Sequence, residues 1–230
     1  MKTEVTSETT VRPTGSRSRR SVWAGRVVTG SVVMVATLTA YGALSTAIMT
    51  VTGRYFYTLG GADPRRSLTE LPQMYRADLR EGATGTLVDL DLGMRLLGAV
   101  PSVIHAVTVV LAAWLLLRVL RGVSGGTPFG TRVLGSWTRL TVVLLVGGVL
   151  QAVVDTVAVV YLSSRIGLLF GVGRVSREQE EAFLGGDYMS ISIGAPDWPI
   201  PILVAGLVAL ALTTAFRAGA RLERDVDGVV

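Results

Sequence analysis

Cysteine is absent from the 230 residues, so the chain holds no disulfide, no thiolate metal site and no cysteine nucleophile. Histidine occurs once, at His105, and lysine once, at Lys2. That scarcity excludes a histidine-cluster zinc site and any phosphate loop that needs a lysine inside the fold. Charged residues make up only 17% of the chain, and long stretches carry none while loops and tails hold nearly all of them. What is abundant is apolar: 50% of residues are hydrophobic and the mean hydropathy is +0.52, a composition that points to a membrane protein. The pI of about 10.1 comes from arginines that flank apolar segments instead of interleaving with aromatics. Direct nucleic-acid binding is therefore not expected. Heavy use of Gly, Ala, Val and Arg with almost no Lys suits a GC-rich bacterial genome.

Residues 1–22, rich in Thr, Ser and Arg and containing Pro13 and Gly15, are expected to form a disordered cytoplasmic tail, with a single four-span membrane domain over 23–230. The first apolar run, 27–51, exceeds the core of a signal peptide and reaches the ~20 residues needed to cross a bilayer. Further spans are expected over 96–117, where Pro101 falls within the first turns, over 140–162, and over 199–216 beginning at Trp198-Pro199-Ile200-Pro201. Four spans put both termini on one side. Thirteen of the 22 basic residues lie on that side, including Arg118, Arg121, Arg132 and Arg139 with no acid among them. The other nine share their loops, 53–95 and 163–198, with eleven acids. The positive-inside rule then makes the termini cytoplasmic and predicts a multi-pass protein of the bacterial inner membrane.

The two outer loops share a plan. In the first, Ser67-Leu68-Thr69-Glu70 has capping-box spacing, Leu71, Met74 and Tyr75 give one apolar face and Gly82 a stop, after which Thr86 to Leu92 alternates like a strand. In the second, Ser176-Arg177-Glu178-Gln179 is a capping box, Gly185-Gly186 a stop, and Tyr188 to Ile193 an alternating segment. The expected architecture is an all-α four-transmembrane-helix bundle bearing a small extracytoplasmic helix-plus-two-strand element. Its two span-loop-span halves are candidate repeats related by an axis along the membrane normal.

Asp155 is the only ionised side chain well inside a predicted span. By helical rise it lies ~11 Å below the outer end of its span and His105 ~12 Å below the outer end of another. Gln151 shares Asp155's helix face, so His105, Gln151 and Asp155 are candidates for one buried polar cluster, serving either as a proton or ion relay or as hydrogen-bonded glue between helices. No span offers a Ser-His or paired-carboxylate arrangement, so catalysis is not expected, and neither is a cofactor or metal. Spacings such as Ala36 to Ala40 and Gly167 to Gly171 permit close helix packing within or between chains and leave the oligomeric state open.

Two cytoplasmic segments carry a resemblance. Gly126-Thr127-Pro128-Phe129 followed by Arg139-Leu140, and the ending with Gly219, Leu222 and Asp225, resemble the bacterial four-span membrane family catalogued as domain of unknown function 2975, over roughly residues 25–230. An asparagine usual a few residues after the family's Phe is missing; Val133-Leu134-Gly135 stands there. The resemblance implies no known catalysis. Members of that family are often encoded beside a small helix-turn-helix DNA-binding protein, which implies that Gly126, Pro128, Phe129, Arg139, Gly219, Leu222 and Asp225 form a cytoplasmic docking surface. The expectation is a noncatalytic membrane partner or sensor for such a regulator, held in the lipid bilayer. The alternative is a small transporter or ion-conducting protein that uses the Asp155 and His105 pair.

Overall fold

The computed structural model describes residues 15–56, 63–124, 130–168 and 175–227, with backbone alone for 15–22, 24 and 220–227. Its elements are helix α1 (Gly15–Thr52), strand β1 (Met74–Leu79), helices α2 (Leu92–Ser124), α3 (Thr131–Arg165) and α4 (Arg177–Leu184), strand β2 (Tyr188–Ile193) and helix α5 (Ile200–Asp227), with one 3₁₀ turn over Leu68–Glu70. Among the described residues four segments are long and apolar enough to cross a membrane: Gly25–Thr52, Leu92–Ser124, Thr131–Arg165 and Ile200–Gly219. Every predicted span lies inside one of these helices except for Pro199, one residue before α5.

Several expectations are corrected. Residues 15–22, expected in a disordered tail, continue α1 as helix, because the apolar segment that follows nucleates the turns before it. Residues 1–14 lie outside the described residues. Pro101 falls in the interior of α2, which starts at Leu92, so it does not escape the cost of a missing N–H and offers none to the Leu97 carbonyl. The first outer loop departs most. Ser67 makes no capping bond, the helix stops after one 3₁₀ turn, and Met74–Leu79 is a strand where a helix was expected. Pro72 accounts for the stop, since its ring and absent N–H block helix continuation, and Glu70 turns to Arg66 and Tyr55 instead of closing a capping box. Thr86 to Leu92, read as a strand, is a run of turns ending on α2. Its buried side chains are Leu87 and Leu90, and Met94 of α2 follows four residues on, a spacing of three and four. Asp89 accepts from the Thr86 N–H at 3.0 Å and Asp91 from the Met94 N–H at 3.1 Å, the turn and cap chemistry aspartate favours.

The second loop follows expectation. Ser176 and Gln179 form a reciprocal capping box, Gly185 ends α4 in the left-handed region at φ +70°, and Tyr188 to Ile193 is β2. β1 and β2 pair antiparallel, with Met74 opposite Ile193 and Leu79 opposite Tyr188, a register that a twofold axis exchanges. The order helix, short helix or turn, strand, helix also repeats. Helix packing does not follow that axis: α2 packs on α3, whereas the main neighbours of α1 and α5 are α2 and α3 respectively.

The best-packed apolar core sits at the sheet end, not along the bundle. Leu68, Leu71, Leu87, Leu90 and Met94 from the first loop and the start of α2 meet Ala158, Leu162 and Ile166 at the end of α3 and Leu184 of α4. Along the helices the outward faces are apolar and exposed, as at Met34, Leu38, Val146, Val153, Leu207 and Val208. The loops therefore form a cap with its own core on top of four helices whose outer faces suit lipid.

Candidate functional site

Asp155 lies on α3 about ten residues before its end and is only 5% exposed. Its carboxylate joins the two loops from beneath. Gln73, the residue before β1, donates from Nε2 to Asp155 Oδ1 at 2.7 Å, and the backbone N–H of Asp197, just before α5, donates to Oδ2 at 2.6 Å. The same junction is closed above by the Gly194 N–H bonding to the Gln73 carbonyl at 3.0 Å, and beside it Trp198 Nε1 donates to Thr156 Oγ1 at 3.3 Å. One side chain of α3 thus ties both loops to the bundle.

Of the three residues the sequence nominates, His105 and Gln151 are bonded to each other, with His105 Nδ1 and Gln151 Oε1 3.1 Å apart. The Gln151 carbonyl can only accept, so the His105 ring donates from Nδ1 in this pairing. No hydrogen bond joins His105 to Asp155; the link between them is the shared helix face of Gln151 and Asp155. All three nevertheless border one cleft of about 280 Å³, with Pro101 and Ser102 of α2 and Asp197 at its rim. Thr39 and Ala43 of α1, Gly98 of α2 and Pro72 complete it.

Gln73 and Asp197 were not found by sequence reasoning. Gln73 falls in a segment whose pattern suggested a helix, and Asp197 acts through its main chain, which no residue type reveals. The one available signal was Asp155 itself: a buried carboxylate must have donors, and the nearest in three dimensions come from the loops.

At the far end of α2 and α3, Arg139 is exposed and borders a second cleft, of about 460 Å³, with Arg118 and Arg132. Arg118 lies over the Trp114 ring at 4.0 Å. The Arg217 guanidinium donates to Thr138 Oγ1 at 3.1 Å, and Phe216 meets Trp137 with ring centroids 5.7 Å apart, so α5 is held on α3 at this end. Gly219 follows on α5. Leu222 and Asp225 lie on its helical continuation, and Gly126, Pro128 and Phe129 lie outside the described residues.

Among the described residues no group of three His, Cys, Asp or Glu side chains is placed to hold a metal ion. The fold is consistent with the multi-pass membrane class: four helices long and apolar enough to cross a bilayer, and a small sheet. The chain matches no protein-family model, no curated protein and no solved structure.

Proposed function

We propose that the chain is a noncatalytic multi-pass protein of the bacterial cytoplasmic membrane. In this reading it senses a condition outside through the cleft under its cap and holds a soluble helix-turn-helix regulator inside at the loop around Gly126 to Arg139 and the tail around Gly219 to Asp225. The excess of arginine around the termini and the α2–α3 connection supports that orientation. One observation carries the sensing half: Asp155 bonds both to Gln73 and to the residue that leads into α5. A change at this carboxylate is then felt by α3 and α5, whose other ends carry Arg132, Arg139 and the tail. The docking half rests on the resemblance of the loop and tail.

The test is purification of the tagged full chain from its native host with cross-linking and mass spectrometry, beside a chain truncated after Arg217 and an Asp155→Asn variant. The reading expects a DNA-binding protein cross-linked at the loop or tail, lost on truncation and altered in amount by Asp155→Asn. A cross-linking pattern identical in all three contradicts it. A conducting or transporting role is the second reading, favoured by a buried carboxylate that has no cationic partner among the described residues. Proton or solute flux in liposomes that disappears in Asp155→Asn would select it.

A further inference from the structure

Among the described residues the Asp155 carboxyl meets two neutral donors, the Gln73 amide and the Asp197 N–H. Neither Asp155 nor Asp197 joins an ion pair among the described residues, and no arginine or lysine borders the cleft. A carboxylate within a membrane span costs roughly 2.5–3.5 kcal/mol on insertion scales, so its burial calls for a counter-charge. A second group is also incomplete. Gln73 is 2% exposed, and its Oε1 has no hydrogen-bond partner among the described residues. That oxygen packs behind Gly98 of the cleft wall, where a Cβ would come within 2.9 Å of it, and Gln73 does not itself line the cleft. An orphaned buried carbonyl of this kind costs about 1–3 kcal/mol. Ser102 and Thr39 add hydroxyl acceptors on the cleft walls. The cleft therefore has a surplus of acceptors and of negative charge, and what complements it is a cation rich in N–H donors.

Size and lining narrow the choice. One water fills about 10–15 Å³ on the same measure, so the cleft of about 280 Å³ exceeds a bare ion. It approaches the range of roughly 300–1,000 Å³ typical of small-molecule sites. Ala43, Pro72 and Pro101 give it apolar walls, and the three-ligand set that a divalent metal prefers is absent among the described residues. We infer that this cleft binds a small organic ligand through a primary ammonium group, which donates to the carboxylates of Asp155 and Asp197 while its alkyl part lies against Ala43, Pro72 and Pro101. The inference names the ligand class of the sensing cleft proposed above and rests on that reading for its biological role.

The experiment uses the full chain in detergent at pH 7 and matched ionic strength, with n-butylammonium, tetramethylammonium and sodium chlorides as probes, read by calorimetric titration and thermal unfolding. Butylammonium is expected to bind and raise the unfolding midpoint, and the other two are not, because neither offers an N–H. Asp197→Asn is expected to weaken binding by roughly tenfold and to leave the ligand-free midpoint in place, because Asp197 anchors the loop through its backbone N–H. Asp155→Asn is expected to abolish binding. Equal stabilisation by tetramethylammonium or sodium, or butylammonium binding that Asp197→Asn leaves intact, overturns the inference. The cross-linking experiment separates the two readings. If butylammonium fails while Asp155→Asn still alters capture of the cytoplasmic partner, the ligand class falls and sensing stands. Specific binding with unchanged capture brings down the sensing reading and leaves the ligand class in place.

Discussion

Asp155 concentrates the chemistry of the molecule at single-residue scale. Its burial was legible because it is the lone ionised group in a predicted span, but its partners were not, since an amide in a misread loop and a main-chain N–H leave no pattern. Matched depths made Asp155 and His105 candidates for one polar cluster with Gln151; the two do not bond to each other, and His105 bonds to Gln151. Depth along two helices fixes height but not azimuth. The hydrogen bonds make graded predictions. Asp155→Leu strands the Gln73 amide and the Asp197 N–H together and should cost about 1–3 kcal/mol for each group left unpaired. Asp155→Asn should cost less, because the Gln73 amide can turn over and accept from the new side chain. Chemical denaturation in detergent that ranks the two variants equally would contradict the strap. Gly98→Ala tests the same junction from the other side. The added methyl would meet Gln73 Oε1 at 2.9 Å and Leu71 Cδ1 at 3.0 Å, and overpacking of this kind costs about 1–3 kcal/mol.

The cap shows what element-level signals can and cannot carry. Ser176-Arg177-Glu178-Gln179 and Gly185 delimit α4 because each acts locally, through a capping bond and a left-handed stop. In the first loop the same local spacing failed because Pro72 ends the helix and the pairing partner of β1 lies more than a hundred residues away, where no local pattern reports it. Ser176→Ala should destabilise the cap by about 1 kcal/mol. Gly185→Ala should do more harm, since the residue sits at φ +70° and a Cβ there would strike the Asp89 carbonyl. Amide exchange in α4 and β2 measures both. The cap also has a pH signature. Burial, with Asp89 nearby, pushes the Tyr188 hydroxyl up from 10.0 to about 12. A folded pKa above the unfolded one gives stability that is full below pH 10.0 and lost as pH rises toward about 12. Tyr188→Phe should remove that alkaline loss and leave neutral stability unharmed, because the hydroxyl is buried with no hydrogen-bond partner among the described residues. Unfolding midpoints from pH 7 to 11 check it. At the acid end, burial raises Glu70 but bonds from Tyr55 and Arg66 outweigh it and hold the carboxyl low, so its contribution is lost as pH falls through that depressed value.

For the whole molecule, the number of membrane-length helices was legible from hydropathy alone, because each span is a long apolar run bounded by charge. The cap core at the sheet end was not, since it is assembled from single apolar residues contributed by both loops, α2 and α3, among them Leu87, Met94, Leu162 and Leu184. Sensing, docking and the ammonium cleft share one premise: the sheet end faces out and the end bearing Arg139 and Gly219 faces in. The cysteine-free chain allows this to be measured on a silent background. Tyr75→Cys, at a position 80% exposed on β1, and Gly219→Cys are each labelled in intact cells with a membrane-impermeant maleimide, then again after permeabilisation. The account predicts that Tyr75→Cys reacts in intact cells and that Gly219→Cys reacts only once the membrane is opened; the reverse pattern, or equal labelling of both in intact cells, would contradict it.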